Sequence, residues 1–227
     1  MLNRRHIRVK VMQSIYAMHQ NGSDDIEKEE KFLNYSIESV MDLYLIILST
    51  LIELQRKEVA FMELSSKKHL ATPEERKPNT KFINNSILQL LNVSSAIESA
   101  IKSKSITNWV ANDDAILLLL QDVKQSALYN NYMKIKGTSF ENDKQFIIDL
   151  FTEVIAPNEK LYNYLEDYKL TWVDDIPMVN TKILKQLNQI SEKDSTFKVS
   201  KLFKDEVDKE FVNLLFRKTV LNETEFT

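Results

Sequence analysis

Four cations, Arg4, Arg5, Arg8 and Lys10, fall within the first ten residues, and no acid precedes Asp24. The whole chain has a formal net charge of −3, so the first twenty residues at +4 stand against a remainder at −7. Positive charge concentrated this way suits an anionic partner, and a phosphate backbone is the commonest one. His6 lies among these residues and belongs to the same candidate set. An ordinary amphipathic helix with a solvated basic end also accounts for the pattern, and the residues alone leave both readings open.

Little else invites chemistry. His6, His19 and His69 have no metal-ligand spacing, and the chain has no cysteine, so thiolate chemistry and structural disulfides are excluded. The acid pairs Asp24-Asp25, Asp113-Asp114 and Asp174-Asp175 suggest acid–base work. Each, however, sits at an expected helix start, where capping explains it. Two glycines, Gly22 and Gly137, cannot build a phosphate-cradling loop. The sequence therefore predicts no catalytic residue, no metal and no cofactor. Tyr16, Tyr44, Phe61, Phe82, Phe146 and Phe151 fall in apolar helical registers and are expected in the core.

The elements that must position the cations are helices. Scarce glycine and proline argue for long helices with few breaks, and no segment reads as a strand. A helix from about Asn3 to Gln20 places Ile7, Val11, Ile15 and Met18 on one stripe, with Arg4 and Arg8 one turn apart beside it. Asn21-Gly22 ends it. A second helix, capped by Ser23 or Asp24, is expected to run to Leu64, with an interruption near Asn34-Tyr35-Ser36. Thr72-Pro73-Glu74-Glu75 reads as a short capped turn inside a basic connection that holds Lys67, Lys68, His69, Arg76, Lys77 and Lys81. That connection is either a solvated loop or an auxiliary phosphate-contacting surface. Further helices are expected over 82–102, from Asn112 to Tyr132, over 142–155, 159–168, from Pro177 to Ile190, and over 200–220. The run Leu43–Leu48 is too short to span a bilayer, and residues 1–20 do not read as a secretory leader.

The opening Arg4-Arg5-His6-Ile7-Arg8, followed by Met12-Gln13-Ser14-Ile15-Tyr16, resembles the arginine-rich first helix of the NusB family of bacterial transcription antitermination factors. Downstream, Phe146 to Val154 resembles the family's F-x-x-x-L-hydrophobic-x-x-V helix. Leu161, Leu165, Trp172, Asp174, Asp175, Ile183 and Leu184 then follow in the family's order. The chain departs from the family in length, since about 125 residues separate the two matching segments. Phe211, Leu215 and Phe216 match Phe146, Leu150 and Phe151 as a weak internal repeat.

The resemblance implies an all-α helical bundle with an expanded central region over 1–190. Residues 191–227 would form a linker and the start of a further helical segment, in a piece of a longer protein. It implies a noncatalytic cytoplasmic factor for transcription antitermination or termination, without membrane attachment. Such a factor binds boxA-like single-stranded RNA together with the ribosomal protein NusE, within the RNA polymerase antitermination complex. Arg4, Arg5, His6, Arg8 and Lys10 would contact RNA, and because several family members self-associate near the RNA site, the resemblance leaves a homodimer open. Two other readings stay open: a NusB-like RNA-targeting module of a ribosomal RNA methyltransferase, and a helical protein-interaction scaffold without RNA binding.

Overall fold

The computed structural model describes residues 1–221, and among these the chain forms twelve α-helices and no strand. In order they are α1 (Arg4–Gln20), α2 (Ile26–Ser66), α3 (Pro73–Arg76), α4 (Ser86–Asn92), α5 (Ser95–Ser103), α6 (Asn108–Ala111), α7 (Asp113–Gln125), α8 (Ala127–Lys134), α9 (Phe140–Leu150), α10 (Glu159–Tyr168), α11 (Ile176–Gln189) and α12 (Val207–Val220). The expected all-α fold class is what the chain adopts.

Several expected long helices are broken, and the breaks share a cause. Asn85, Ser94 and Ser126 each turn a side-chain oxygen onto backbone N–H groups two or three residues ahead, starting α4, α5 and α8 inside apolar-periodic runs. Short polar side chains offer the backbone a local partner that competes with helix continuation. In α2 the reverse holds. The anticipated interruption near Asn34 is absent, and the helix runs through 41 residues. Asp25, one residue beyond the expected cap, accepts the Lys28 N–H at 3.0 Å. The Asp113-Asp114 and Asp174-Asp175 pairs sit at helix starts, where the capping positions Asn112 and Asp175 make no side-chain cap bond; Asp113 holds Lys57 at 2.6 Å.

The chain divides into two compact units, Met1–Asp42 with the segment from Ser200 on, and Leu43–Val199. Within the first unit α12 packs on α1. Ile7, Val11 and Met18 of α1, Leu33, Ile37 and Val40 of α2, and Val212, Leu215 and Phe216 of α12 form that unit's core. Residues 200–206 are not the helix that was expected. Leu2, fully buried, donates its N–H to Leu202 O at 2.8 Å and accepts the Lys204 N–H at 3.1 Å, so this stretch runs beside the amino terminus in a parallel bridge. Arg217 grips Glu30 with two nitrogens, Nε to Oε1 at 2.8 Å and Nη2 to Oε2 at 2.5 Å. These hydrogen bonds hold the Glu30 carboxyl below its usual range.

The Leu43–Val199 unit buries Leu43 to Ile52 of α2 with Leu88, Leu91, Leu119, Val123, Ile147, Phe151, Trp172 and Ile183. The Trp109 indole N–H reaches Ile46 O and Ser49 Oγ, both at 3.1 Å. Its buried polar centre is Asp143 on α9. Oδ1 accepts the Tyr132 hydroxyl at 2.7 Å, and Oδ2 accepts Ser86 N–H at 2.9 Å and the Ser86 hydroxyl at 2.7 Å. Tyr132 stacks on Phe146 at 3.8 Å, and burial with the Asp143 bond pushes its phenol pKa up. No described helix is long and apolar enough to cross a membrane.

Candidate nucleic-acid interface

The candidate site is built on α1. Asn3, with extended backbone, caps the helix: its Oδ1 accepts the His6 N–H at 3.1 Å, and its own N–H meets His6 Nδ1 at 3.5 Å. His6 thus takes the place that Glu or Gln holds in a reciprocal capping box. Burial, then the charges of Arg5 and the amino terminus, lower its pKa, which keeps the imidazole neutral and able to accept.

A turn of about 100° per residue sorts the remaining side chains. Ile7, Lys10, Val11, Ser14 and Met18 occupy the buried side. Arg5, Arg8, Val9, Met12 and Tyr16 lie opposite, all exposed, with Met12 at 63% and Tyr16 at 66%. From Arg5 to Tyr16 this face extends about 16 Å along the axis at 1.5 Å per residue. Among the described residues, Arg5 and Arg8 carry no ion pair, so their guanidinium groups are not committed to the fold.

The five residues expected to act together are not equivalent. Arg4 Nε binds Asp208 Oδ1 at 3.2 Å, and its guanidinium lies 5.2 Å from the Phe211 ring centre, yet 61% of its side chain stays exposed. Lys10 turns inward, only 5% exposed, and donates from Nζ to Ser36 Oγ at 3.3 Å. It was expected to contact RNA with the arginines, from a one-turn pair with His6 on another side of the helix. Its register position between Ile7 and Ser14 places it on the packed side instead. His6 serves the cap. The freely presented cations are therefore Arg5 and Arg8, with Arg4 tethered next to them.

Tyr16 corrects an expectation in the other direction, since its apolar register suggested the core. Phe61 is likewise exposed, whereas Tyr44, Phe82, Phe146 and Phe151 are buried as expected. The signal for Tyr16 was present in the sequence: with Ile7, Val11 and Met18 inward, position 16 falls on the far side of the helix. A cationic stripe continued by an exposed ring and a thioether can hold phosphates at one end and an unstacked base at the other. Among the described residues, no group of three His, Asp or Glu side chains could hold a metal ion. Comparison with protein-family models, curated proteins and solved structures finds no match to this chain.

Proposed function

We propose that this chain is a noncatalytic RNA-binding protein that uses the exposed face of α1 to hold single-stranded RNA. The observation that carries the reading is the alignment of the uncommitted Arg5 and Arg8 with Met12 and Tyr16 on one face. Arg5 and Arg8 neutralise phosphates, Tyr16 stacks on a base, and Arg4 adds charge from its tether on Asp208. The opening motif's likeness to NusB gives the finer form of the proposal. The RNA is boxA-like, NusE is the co-binding protein, and the setting is an antitermination complex in the cytoplasm.

The test is fluorescence anisotropy with a boxA-like RNA and a scrambled RNA over a salt series, comparing wild type with Arg5→Ala/Arg8→Ala. Preference for the boxA-like RNA, with a salt slope lower by about 1.4 in the variant, is the expected result, because each phosphate contact on a single strand contributes about 0.7. Equal binding of both RNAs would reduce the site to a generic polyanion contact. An unchanged slope would remove α1 from RNA binding.

A further inference from the structure

A second basic surface lies within the Leu43–Val199 unit, on two segments far apart in the chain. Residues 76–97 contain Arg76, Lys77 and Lys81 and no acid, and residues 123–140 contain Lys124, Lys134 and Lys136 and no acid. The fold pins these segments together. Asn79 Nδ2 donates to Met133 O at 3.0 Å, and the Lys81 ammonium donates to Ile135 O at 2.7 Å and Gly137 O at 2.8 Å. Lys81 also sits 4.7 Å from the centre of the Tyr132 ring. Its charge is thus consumed in the fold, and its role is a clamp.

The clamp determines what its neighbours present. Lys77 is two residues from Asn79, so its Cα lies within about 8 Å of it. Lys134 follows Met133, and Lys136 lies between the two carbonyls that Lys81 holds. Arg76, Lys77, Lys134 and Lys136 are exposed and make no ion pair among the described residues. The nearby acids are otherwise engaged or at the rim. Glu75 holds Lys68 and closes the α3 cap, both oxygens of buried Asp143 accept hydrogen bonds, and Asp194, which with exposed Glu192 lines a pocket beside Thr138 and Ser139, accepts the Ser191 N–H; Glu74 and Glu141 are exposed.

We propose that this clamped surface is a second binding site for the phosphate backbone of single-stranded RNA. It shares its ligand class with the α1 reading but rests on none of the α1 residues. Exposed cations spread over two joined segments suit a phosphate chain that passes across them, since contacts of this kind need no pocket and no base-specific geometry. A membrane surface would call for apolar side chains that insert beside the cations. Of residues 76–79 and 133–138, Ile135 is the large apolar side chain that is exposed.

The experiment uses the full chain with a long uridine oligonucleotide, in four forms: wild type, Lys77→Ala/Lys134→Ala/Lys136→Ala, Arg5→Ala/Arg8→Ala, and the combination. Binding is followed over a salt series, and protection of lysines from reductive methylation is read by mass spectrometry. The substituted side chains are exposed, and an unchanged far-ultraviolet dichroism spectrum checks the fold. The expected result is protection of Lys77, Lys134 and Lys136 by RNA and a slope lower by about 2 in the lysine variant, whether or not the α1 arginines are present. An effect of the arginines with none of the lysines overturns this proposal and leaves the α1 reading standing. An effect of the lysines alone does the opposite, and no effect of either overturns both. Protection by phosphatidylglycerol vesicles but not by RNA would make the surface lipid-facing and overturn the proposal.

Discussion

Arg4 and Asp208 stand 204 positions apart and meet at 3.2 Å, so the first turn of α1 is tied to the first turn of α12 through a guanidinium 61% exposed and a carboxylate 3% exposed. Asp208 lies near a helix N-terminus, where the dipole also favours its charge. Removing Arg4 strips a buried carboxylate of a charged hydrogen-bond partner. Such bonds contribute about 1.5–3 kcal/mol, and the exposure of Arg4 reduces this through solvent screening. We therefore expect Arg4→Ala to destabilise the protein by about 1 kcal/mol, lowering Tm by about 2–4 °C at this chain length. Arg5→Ala and Arg8→Ala should leave Tm unchanged. Equal thermal shifts for all three variants would show that the Arg4 contact does not stabilise the fold.

Tyr16 should contribute through its ring rather than its hydroxyl. Stacking of a base on an aromatic side chain is worth about 1–3 kcal/mol by alanine substitution, so Tyr16→Ala should weaken RNA binding at least about fivefold. Tyr16→Phe should retain most of the affinity. With 66% of the residue exposed, neither change should disturb folding by more than about 0.5 kcal/mol. Loss of affinity in the phenylalanine variant equal to that in the alanine variant would count against stacking.

Lys10 is the residue for which sequence and structure part most clearly. If its ammonium serves the fold through Ser36, then Lys10→Met should alter stability and leave the salt slope of RNA binding as in wild type. A slope lowered by about 0.7 would instead show that Lys10 reaches phosphate.

These residues show what was legible. The helix α1, its Asn21 end and its buried stripe follow from periodicity and capping chemistry, which act over one or two turns. The capped turn at Thr72 is as expected, with Thr72 Oγ1 accepting the Glu75 N–H and the Glu75 carboxylate accepting the Thr72 N–H. The breaks at Asn85, Ser94 and Ser126 were harder to read, because a serine or asparagine inside an apolar-periodic run caps or continues depending on what packs around it. Long-range partners were out of reach. Nothing local tells Arg4 that Asp208 awaits it, or Lys81 that two carbonyls lie some 55 positions ahead. Phe211, Leu215 and Phe216 repeat the spacing of Phe146, Leu150 and Phe151. Yet the first set lies in a regular helix, and the second runs into a π turn over Phe151–Ile155.

His6 makes the start of α1 sensitive to acid. Its ordinary pKa is 6.5, and burial with neighbouring positive charge lowers it in the folded chain. Between the two values the unfolded chain holds more protons, so stability rises with pH across that window. The contribution is fully present above about 6.5 and is lost as pH falls through the folded value. A protonated Nδ1 cannot accept the Asn3 N–H, so the capping box opens. Protection of the first amides of α1 against hydrogen exchange, taken relative to the intrinsic rate that acid slows, should fall on acidification, and His6→Gln, which keeps an acceptor that does not titrate, should flatten the response. Identical pH profiles in the two proteins would dismiss the box as the cause.

Asp143 should be the costliest single polar position in the Leu43–Val199 unit. Its two oxygens receive three hydrogen bonds, from Tyr132 and twice from Ser86, at a residue 2% exposed. In Asp143→Asn one oxygen becomes an NH2 group. Placed toward Ser86 it faces the backbone N–H, and placed toward Tyr132 it faces a hydroxyl that already accepts from Asn85 Nδ2 at 3.1 Å. Either placement leaves a buried donor without an acceptor, a loss of about 1–3 kcal/mol. Tyr132→Phe keeps the stack on Phe146 but removes the donor to Asp143 and the acceptor of one Asn85 N–H, so it too should destabilise the unit. Because both changes act on one network, the double variant should cost less than the two single losses combined. Urea unfolding followed by Trp109 and Trp172 fluorescence reads this unit directly, since both indoles are buried within it. Strict additivity would mean that Tyr132 and Asp143 stabilise the unit independently, against the 2.7 Å bond that joins them.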